Sequence, residues 1–346
     1  MSGNNEKGTG SIPEPVARKR SLPYIRNEDL RRKKRRVALF TLWAPIFGTA
    51  LAGGLAALQG GIGFLEISLL AGMFFITTFG VEVGFHRLFS HNSFKAPDWV
   101  RGGLFILGCM SGEGQGIYWA SNHRRHHAHS DTGDDPHSPH FRKTASGSEQ
   151  ISGWKGFWHA HQGNTYTDYA TNATQFANDL TRDRMLVRLD RFYTFWVLLG
   201  LGIPALIGAL VTRSWQGALN GFLWGGVVRI FVGHQTYFTN GSFAHVYGSR
   251  PFKNGDMSSN NIWCALPTFG SAWQNNHHAF PSSARLGFHW WEVDIGWYLI
   301  ASMQSLGLVR EIKRPSPAQI RSALARAESV TGGVEMLLDR REPYAS

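Results

Sequence analysis

Four long apolar segments, arranged in two closely spaced pairs, constrain this chain more than any other feature. Each approaches the roughly 20 residues that a helix needs to cross the hydrocarbon core of a bilayer. The first pair is joined by only "QGG", which leaves room for a tight hairpin. Each segment could instead be a buried helix of a soluble protein, but the pairing, with charges gathered at the outer ends, favours membrane spans. The predicted spans cover residues 37–58, 62–81, 192–211 and 215–238.

A basic segment precedes the first span and sets the expected orientation. The net charge of +11 is concentrated in "ARKRSLPYIRNEDLRRKKRR", which ends where the apolar residues begin. Lys and Arg beside a span mark the cytoplasmic side and attract anionic lipid, so nucleic acid is not an expected partner. Residues 1–36, rich in Gly, Ser, Pro and charge, are predicted to form a disordered basic tail.

With the tail inside, both hairpins return to the cytoplasmic side. Residues 82–191 and 239–320 then form one cytosolic cap, and residues 321–346 are predicted to be a C-terminal helical tail. The apolar stretch 104–119 is shorter than a span and contains Glu113, so we expect it at the interface or against the bundle. The predicted fold class is an all-α membrane protein with four transmembrane helices and a cytosolic helical cap.

Histidine is concentrated in four short blocks, all within the predicted cap. On a helix, positions i, i+3 and i+4 share a face, which lets the first histidine of "HRRHH" meet the last two. Neighbouring histidines diverge by about 100°, so each HH pair can point at two different centres. His86 and His91 diverge by about 140°, which favours two metals or a bent helix end. The histidines concerned are His86, His91, His123, His126, His127, His245, His277 and His278.

These eight imidazoles indicate metal binding. A single histidine is more often an ordinary hydrogen-bonded residue, but paired clusters at the ends of predicted spans are not. A structural zinc site takes four ligands, usually with cysteine, and Cys109 and Cys264 are isolated from each other. Two ions in a nitrogen-rich site fit better, and redox-active iron gives a reason for having two.

The blocks also carry a family resemblance. "HRLFSH", "HRRHH", an "NxxHH" followed by "AFPSSAR", and the stretches "SDTGDDPHSP", "GFWHAH" and "WWEVD" resemble the integral-membrane acyl-CoA desaturases of the stearoyl-CoA type. The resemblance covers about residues 37 to 320, the expected desaturase domain. It implies a di-iron centre in a cytosolic cap over four spans. It also implies that O2 and two electrons are used to convert a saturated fatty acyl chain to a cis alkene.

The resemblance implies that all eight histidines are metal ligands, and two positions depart from the family pattern. Gln274 stands where relatives of this type carry histidine; front-end desaturases with a QxxHH box are active, so its amide oxygen is a candidate ligand. In "TNGSFAH", Gly241 stands where relatives carry an asparagine that holds a metal-bound water, and Asn240 lies one place earlier. We keep Gln274 and Asn240 as candidates.

Each imidazole ligand needs a hydrogen-bond acceptor at its other ring nitrogen, which fixes the position of the proton. The candidate acceptors are Glu82, Glu113, Asp131, Asp134, Asp135 and Glu292. A structural turn is favoured over ligation for His137. Six other histidines are expected to be non-ligands: His129, His140, His159, His161, His234 and His289. Several tryptophans could line an acyl tunnel, although a membrane-interface position is favoured for each: Trp119, Trp154, Trp158, Trp273, Trp290 and Trp291.

The expected partners are membrane lipid, a fatty acyl substrate on CoA or another carrier, and a separate electron-transfer protein. That protein could be cytochrome b5-like, a ferredoxin or a reductase, because the chain has no haem or iron–sulfur motif. We expect a bacterial inner membrane rather than the endoplasmic reticulum.

Two other interpretations of the function stay open. One is a related di-iron hydroxylase or acetylenase, and the other is a non-catalytic membrane scaffold that has lost one iron through Gln274.

Overall fold

Two helical hairpins form the frame of the molecule in the computed structural model, which describes residues 23–26, 28–144 and 146–327. The first hairpin joins helices Arg32–Leu58 and Phe64–Ser90. The second joins helix Tyr193–Thr212 to a continuous helix over 215–241. Its arms meet through glycine: a Cβ on Gly208 would lie 2.0 Å from the carbonyl oxygen of Gly217. Such small-residue contacts are typical of helices that pack closely in membranes.

Three of the described helices are long and apolar enough to cross a membrane: Arg32–Leu58, Phe64–Ser90 and Tyr193–Thr212. The fourth predicted span lies within the helix over 215–241 but is not one of these three. It carries Arg229, which is buried and donates to the carbonyl oxygens of Met110 and Ser111 at 2.8 and 3.1 Å. The charge of Arg229 therefore faces the bundle, which lowers the apolar character of this helix without exposing charge.

The largest hydrophobic core of the described residues lies between the first hairpin and the helices that cover its end. Val81, Phe85, Leu104, Phe105 and Ile300 are almost completely buried there. Within it, helix Asp98–Met110 crosses so closely that a Cβ on Gly80 would lie 2.2 Å from the amide nitrogen of Gly108. The stretch predicted to pack against the bundle therefore does so, in agreement with its short length.

The N-terminal segment differs from the expected disorder. Strand Tyr24–Arg26 pairs antiparallel with Tyr169–Thr171, and helix Glu28–Ala38 follows. Lys34 donates to Thr167 Oγ1 and to the carbonyl oxygen of Tyr169 at 2.9 and 3.1 Å. A lysine from the basic run is thus used to fix the run to the cap. Residues 1–22 of the predicted tail lie outside the described residues.

The remaining elements build the cap. A second two-stranded sheet pairs Phe141–Lys143 with Ser148–Gln150. The predicted C-terminal tail is helical over 317–327, and the rest of it lies outside the described residues. π-helical turns cover Leu39–Trp43, Gly80–Ser90 and Phe222–Val228, and 3-10 turns cover Gly163–Tyr166 and Phe243–His245. The α-helical segments are Glu28–Ala38, Ala44–Leu58, Phe64–Phe79, Asp98–Met110, Gly116–His129, Gly153–His161, Ala173–Phe176, Asn178–Thr181, Arg184–Arg191, Tyr193–Thr212, Trp215–Gly221, Arg229–Gly241, Ile262–Ala265, Gln274–Ala279 and Ile295–Ser305.

Candidate metal centre

A π-helical turn at the end of the second span brings the first two histidines together. The amide nitrogen of His91 donates to the carbonyl oxygen of His86 at 3.2 Å, an i to i+5 bond. This spacing puts residues five apart on one face, and the two rings lie 5.0 Å apart between centroids. The divergence of about 140° expected for an ideal α-helix is therefore absent at this pair. Of the two predicted alternatives, the structure has the bent helix end.

Five histidines converge through their Nε2 atoms; we call them the five-histidine cluster. His86 Nε2 lies 3.1 Å from His277 Nε2, and His91 Nε2 lies 2.8 Å from His123 Nε2. His127 Nε2 closes the set, 3.1 Å from His123 and 2.8 Å from His277. Four of these side chains offer ligand atoms that all lie within 4.8 Å of one another. The cluster consists of His86, His91, His123, His127 and His277.

Three more histidines, the three-histidine cluster, face each other beside the first set. His126, His245 and His278 have ring centroids 5.0 to 5.1 Å apart. His126 and His278 are the chain neighbours of His127 and His277, so each HH pair contributes one residue to each cluster. This follows the divergence of about 100° between neighbouring helical positions.

Each imidazole of the three-histidine cluster is oriented by an aspartate. The Nδ1 atom of His126 lies 3.0 Å from Asp135, that of His245 lies 2.9 Å from Asp131, and that of His278 lies 2.7 Å from Asp256. Such bonds place the proton on Nδ1 and leave the Nε2 lone pair for a metal. The Nε2 atoms of His245 and His278 are buried with no hydrogen-bond partner among the described residues. Imidazoles held in this way fit a metal ion.

The protonation of the two clusters follows from their surroundings. Burial, and then the proximity of other imidazoles, holds the pKa of His91, His123, His127 and His277 well below its usual range. Burial alone would raise the pKa of Asp131, Asp135 and Asp256, but the histidine beside each outweighs it and holds that pKa well below normal. These four neutral imidazoles and three charged carboxylates are in the states that metal binding requires. At His126, by contrast, the nearby carboxylates, Asp135 above all, outweigh burial and raise the pKa.

The carboxylates predicted to accept from the imidazoles differ in what they contact. Asp131 and Asp135 contact histidines as described, and Glu82 accepts from His86 Nδ1 at 3.0 Å. Glu113 instead lies 3.6 Å from His234, and Asp134 pairs with Lys143 at 2.8 Å. Glu292 accepts from the side chain of Asn276, next to the ligand candidates, and from two backbone amides. Asp256 was missed because it lies in a loop 22 residues before His278 with no motif around it.

The two departures from the family pattern lie in the same region. Gln274 is buried at the start of helix Gln274–Ala279, one turn before His277 and His278. Its Nε2 donates to the carbonyl oxygen of Ser271 at 2.9 Å. The Oδ1 atom of Asn240 is buried and has no hydrogen-bond partner among the described residues.

His137 occupies the space that a side chain at Gly241 would fill. Its ring stacks on His126 at 4.4 Å between centroids, and a Cβ on Gly241 would lie 2.9 Å from its Nδ1. With His126 and Asp135 it forms a further group of possible ligand atoms. Because His126 Nδ1 and Asp135 already bond to each other, this group is better explained as support for His126.

The other histidines lie away from both clusters or bond elsewhere. His140 Nε2 bonds to the carbonyl oxygen of His245 at 2.9 Å and so braces the backbone of a cluster residue. His161 bonds to Ser242 and Gln235, and His234 bonds to the carbonyl oxygen of Gly112. The rings of His129 and His289 pack against Phe176 and Trp291, and His159 is buried in helix Gly153–His161.

Comparison with known proteins places this site in context. The family model described as fatty acid desaturase matches residues 62–303, more than half of the chain. The chain is 42% identical to hex-5-enoyl-[acyl-carrier protein] acetylenase of Moorena producens (strain JHB), over 75% of this chain and 80% of that protein. It is 36% identical to sn-1 stearoyl-lipid 9-desaturase of Anabaena variabilis, over 68% and 78%. It is 34% identical to icosanoyl-CoA 5-desaturase of Limnanthes douglasii, over 72% and 65%.

Proposed function

Because the chain belongs to the fatty acid desaturase family, we propose that it is a di-iron enzyme that introduces a cis double bond into a saturated acyl chain. The family consists of iron-dependent oxidoreductases that act on acyl chains. The observation that carries the proposal is the pair of adjoining histidine clusters, one of them braced by three carboxylates. A protein kept only as a scaffold has no need to retain such orientation.

Each cluster would hold one iron. The five-histidine cluster supplies imidazole nitrogen alone. The three-histidine cluster offers fewer nitrogens, and we assign the amide oxygen of Gln274 as a further ligand there, with Asn240 holding a bound water. Imidazole and amide oxygen are both competent donors for iron. The fixed amide nitrogen of Gln274 and the unpartnered Oδ1 of Asn240 support this assignment.

The chain's own residues prepare and protect the site. Asp131, Asp135 and Asp256 keep the protons of their histidines on Nδ1, and Glu82 does the same for His86. Burial of these groups excludes water from the place where the oxidant would form. Iron, when bound, supplies the redox chemistry that uses O2, two electrons and two protons to take two hydrogens from neighbouring methylenes, yielding an alkene and two waters. The electrons would come from a separate protein.

The orientation proposal places both clusters on the cytoplasmic side. The basic residues of helix Glu28–Ala38 precede the first span, and positive charge is retained on that side of a membrane. The second span returns to the same side and ends at the π-helical turn that carries His86. We propose that the helix over 215–241 is the fourth span, since its buried Arg229 is satisfied by carbonyl oxygens of the bundle.

The acyl carrier is proposed to be a thioester. The relative at 42% identity is named for an acyl-carrier protein, which carries its acyl chain as a thioester. A second activity, acetylenase, is favoured by the 42% identity to an enzyme named for that reaction. It would use the same oxidant on an alkene and remove two further hydrogens to give an alkyne.

The test is iron content together with product analysis. The purified protein is expected to hold about two irons per chain. Cells expressing it should accumulate a monounsaturated acyl chain that is absent when His278→Ala is expressed at the same level. Gln274→His is the matched variant: equal iron in both proteins supports Gln274 as a ligand. One iron in the wild type, raised to two by the histidine, would contradict the di-iron proposal and favour the scaffold interpretation.

A further inference from the structure

The cap carries an exposed apolar surface that the proposed reaction does not use. Trp263 is 86% exposed on the short helix Ile262–Ala265, and Trp290 is 91% exposed on the loop that follows His277 and His278. Leu266 is also exposed, at 61%. We define the tryptophan patch as Ile262, Trp263, Leu266, Trp290 and Trp291.

Both parts of the patch are fixed to one small core. Ala265, from the short helix, packs with Ala272, Trp273 and Leu286. Trp291 contacts Trp273 edge to face at 5.8 Å, and Trp273 Nε1 donates to the carbonyl oxygen of Val293 at 2.9 Å. The exposed side chains are therefore held on ordered backbone.

Charged side chains are few on the outer side of this region: Arg285 is partly exposed, and its guanidinium donates to the carbonyl oxygen of Gly287. Residues 257–276, between Asp256 and His277, contain no Asp, Glu, Lys, Arg or His. In the loop that carries Trp290 and Trp291, the carboxylate of Glu292 is buried and accepts from the amides of Phe288 and His289. Asp294 is also buried and pairs with Arg87 at 2.7 Å. A soluble surface of this size would be expected to carry charges.

The patch is continuous with the second span. Phe269, three residues after Leu266, lies 5.1 Å from Phe75 between ring centroids. Phe75 is a half-exposed residue of helix Phe64–Ser90, six residues before Val81, the predicted end of the span. Six helical residues correspond to about 9 Å, so the ring of Phe269 reaches below the predicted membrane surface.

We propose that the tryptophan patch lies in the bilayer interface and anchors the segment that carries His277 and His278 to lipid. Tryptophan is enriched at this depth because its ring is apolar and its indole N–H can bond to headgroups or water. The occupant of the surface is therefore lipid and not a protein partner. This inference goes beyond the proposed reaction and does not depend on the iron count.

The test measures the depth of the patch in vesicles of phosphatidylcholine and phosphatidylglycerol. Trp263→Cys and Trp290→Cys are made separately in a Cys264→Ala background and labelled with NBD, a polarity-sensitive fluorophore; Cys109 is buried. Doxyl-labelled lipid quenches fluorophores in the membrane, and iodide quenches those in water. Leu198→Cys, on the exposed face of helix Tyr193–Thr212, is the lipid reference, and Ser146→Cys, on the exposed hairpin of the cap, is the water reference.

Labels at 263 and 290 are expected to be quenched by doxyl lipid several-fold more than the label at 146, and to be protected from iodide. Quenching by iodide as strong as at 146 would overturn the proposal and leave a protein partner as the occupant. A single symmetric elution peak in detergent and an unchanged far-UV circular dichroism spectrum confirm that each labelled protein is folded. Ile262→Cys reports on the same helix if Trp263→Cys fails that check.

Discussion

The two histidine clusters lie side by side but are built differently. The five-histidine cluster contains imidazoles that crowd one another, and Glu82 on His86 is the one carboxylate bonded to it among the described residues. In the three-histidine cluster every imidazole has its own aspartate. One site thus has many neutral ligands and little bracing, whereas the other has few ligands and much negative charge behind them.

This difference implies different sensitivities to mutation. A site with five imidazoles can lose one and keep a complete coordination sphere with water in the vacant place. A site with three imidazoles depends on each of them, on their orientation and on whatever oxygen ligands complete it. Gln274 lies on the helix that carries both His277 and His278. In the proposed assignment it completes the three-histidine site, where a changed ligand is the more consequential.

Removal of one imidazole from each cluster should show most clearly that the two clusters differ in how they retain iron. His278→Ala is expected to lower iron from about two to about one per chain and to abolish the product. His91→Ala should retain part of the iron in its site, because four imidazoles remain. Iron determination on both purified proteins is the measurement. Equal losses in the two variants would mean that ligand number does not distinguish the sites.

Removal of the bracing carboxylates should have a smaller effect with the same asymmetry. Asp256→Asn keeps the shape of the side chain but weakens the hold on His278, and iron affinity at that site should fall by about 10- to 100-fold. Glu82→Gln is the matched change in the other cluster, with an expected fall of only a few-fold. Competition with a chelator gives both affinities. A larger fall in iron affinity for Glu82→Gln than for Asp256→Asn would show that the five-histidine cluster depends more on its carboxylate.

The carboxyl group of Glu113 contrasts with the bracing aspartates. Burial, and then the nearby charge of Glu82, raises the pKa of Glu113 to about 8, so the group is neutral where the aspartates are charged. The unfolded chain releases this proton above about pH 4.5, whereas the folded protein keeps it until about pH 8. Stability should therefore fall as pH rises through this window and then level off.

Glu113→Gln removes that dependence while keeping the size of the side chain. Its Tm should exceed that of the wild type by a few degrees at pH 8 and approach it near pH 5, where both side chains are uncharged. Thermal unfolding in detergent across this range gives the comparison. Parallel curves for the two proteins would show that Glu113 is ionised in the folded state.

The sequence predicted the membrane class, the family and the grouping of the histidine blocks because these depend on local pattern. Spacing alone placed the members of each HH pair in different clusters. For His86 and His91 it left two alternatives, two metals or a bent helix end. The structure has the distorted end, because a π-helical turn changes which residues share a face, and no residue type marks such a turn. Asp256 could not be predicted either, since its role arises from a loop that folds back onto His278.

The N-terminal segment shows the other limit of local reasoning. Composition indicated disorder up to residue 36, yet strand Tyr24–Arg26 and helix Glu28–Ala38 are ordered by contacts with residues 164–171. Such long-range contacts cannot be read from the segment itself. The same holds for Arg229, whose charge lowers the apolar character of its helix but is satisfied by carbonyl oxygens distant in sequence.

The smallest expected effect concerns the packing behind the three-histidine cluster. Gly241→Ala introduces a methyl group 2.9 Å from His137 Nδ1, and His137 stacks on His126, so the ring of His126 must shift slightly. Iron affinity at this cluster should fall by a few-fold, with the five-histidine cluster unchanged. The double variant Gly241→Ala with His137→Ala removes the clash, so it should bind iron as tightly as His137→Ala alone. Since double-mutant cycles isolate direct coupling, additive effects would instead show that His137 does not transmit the strain to His126.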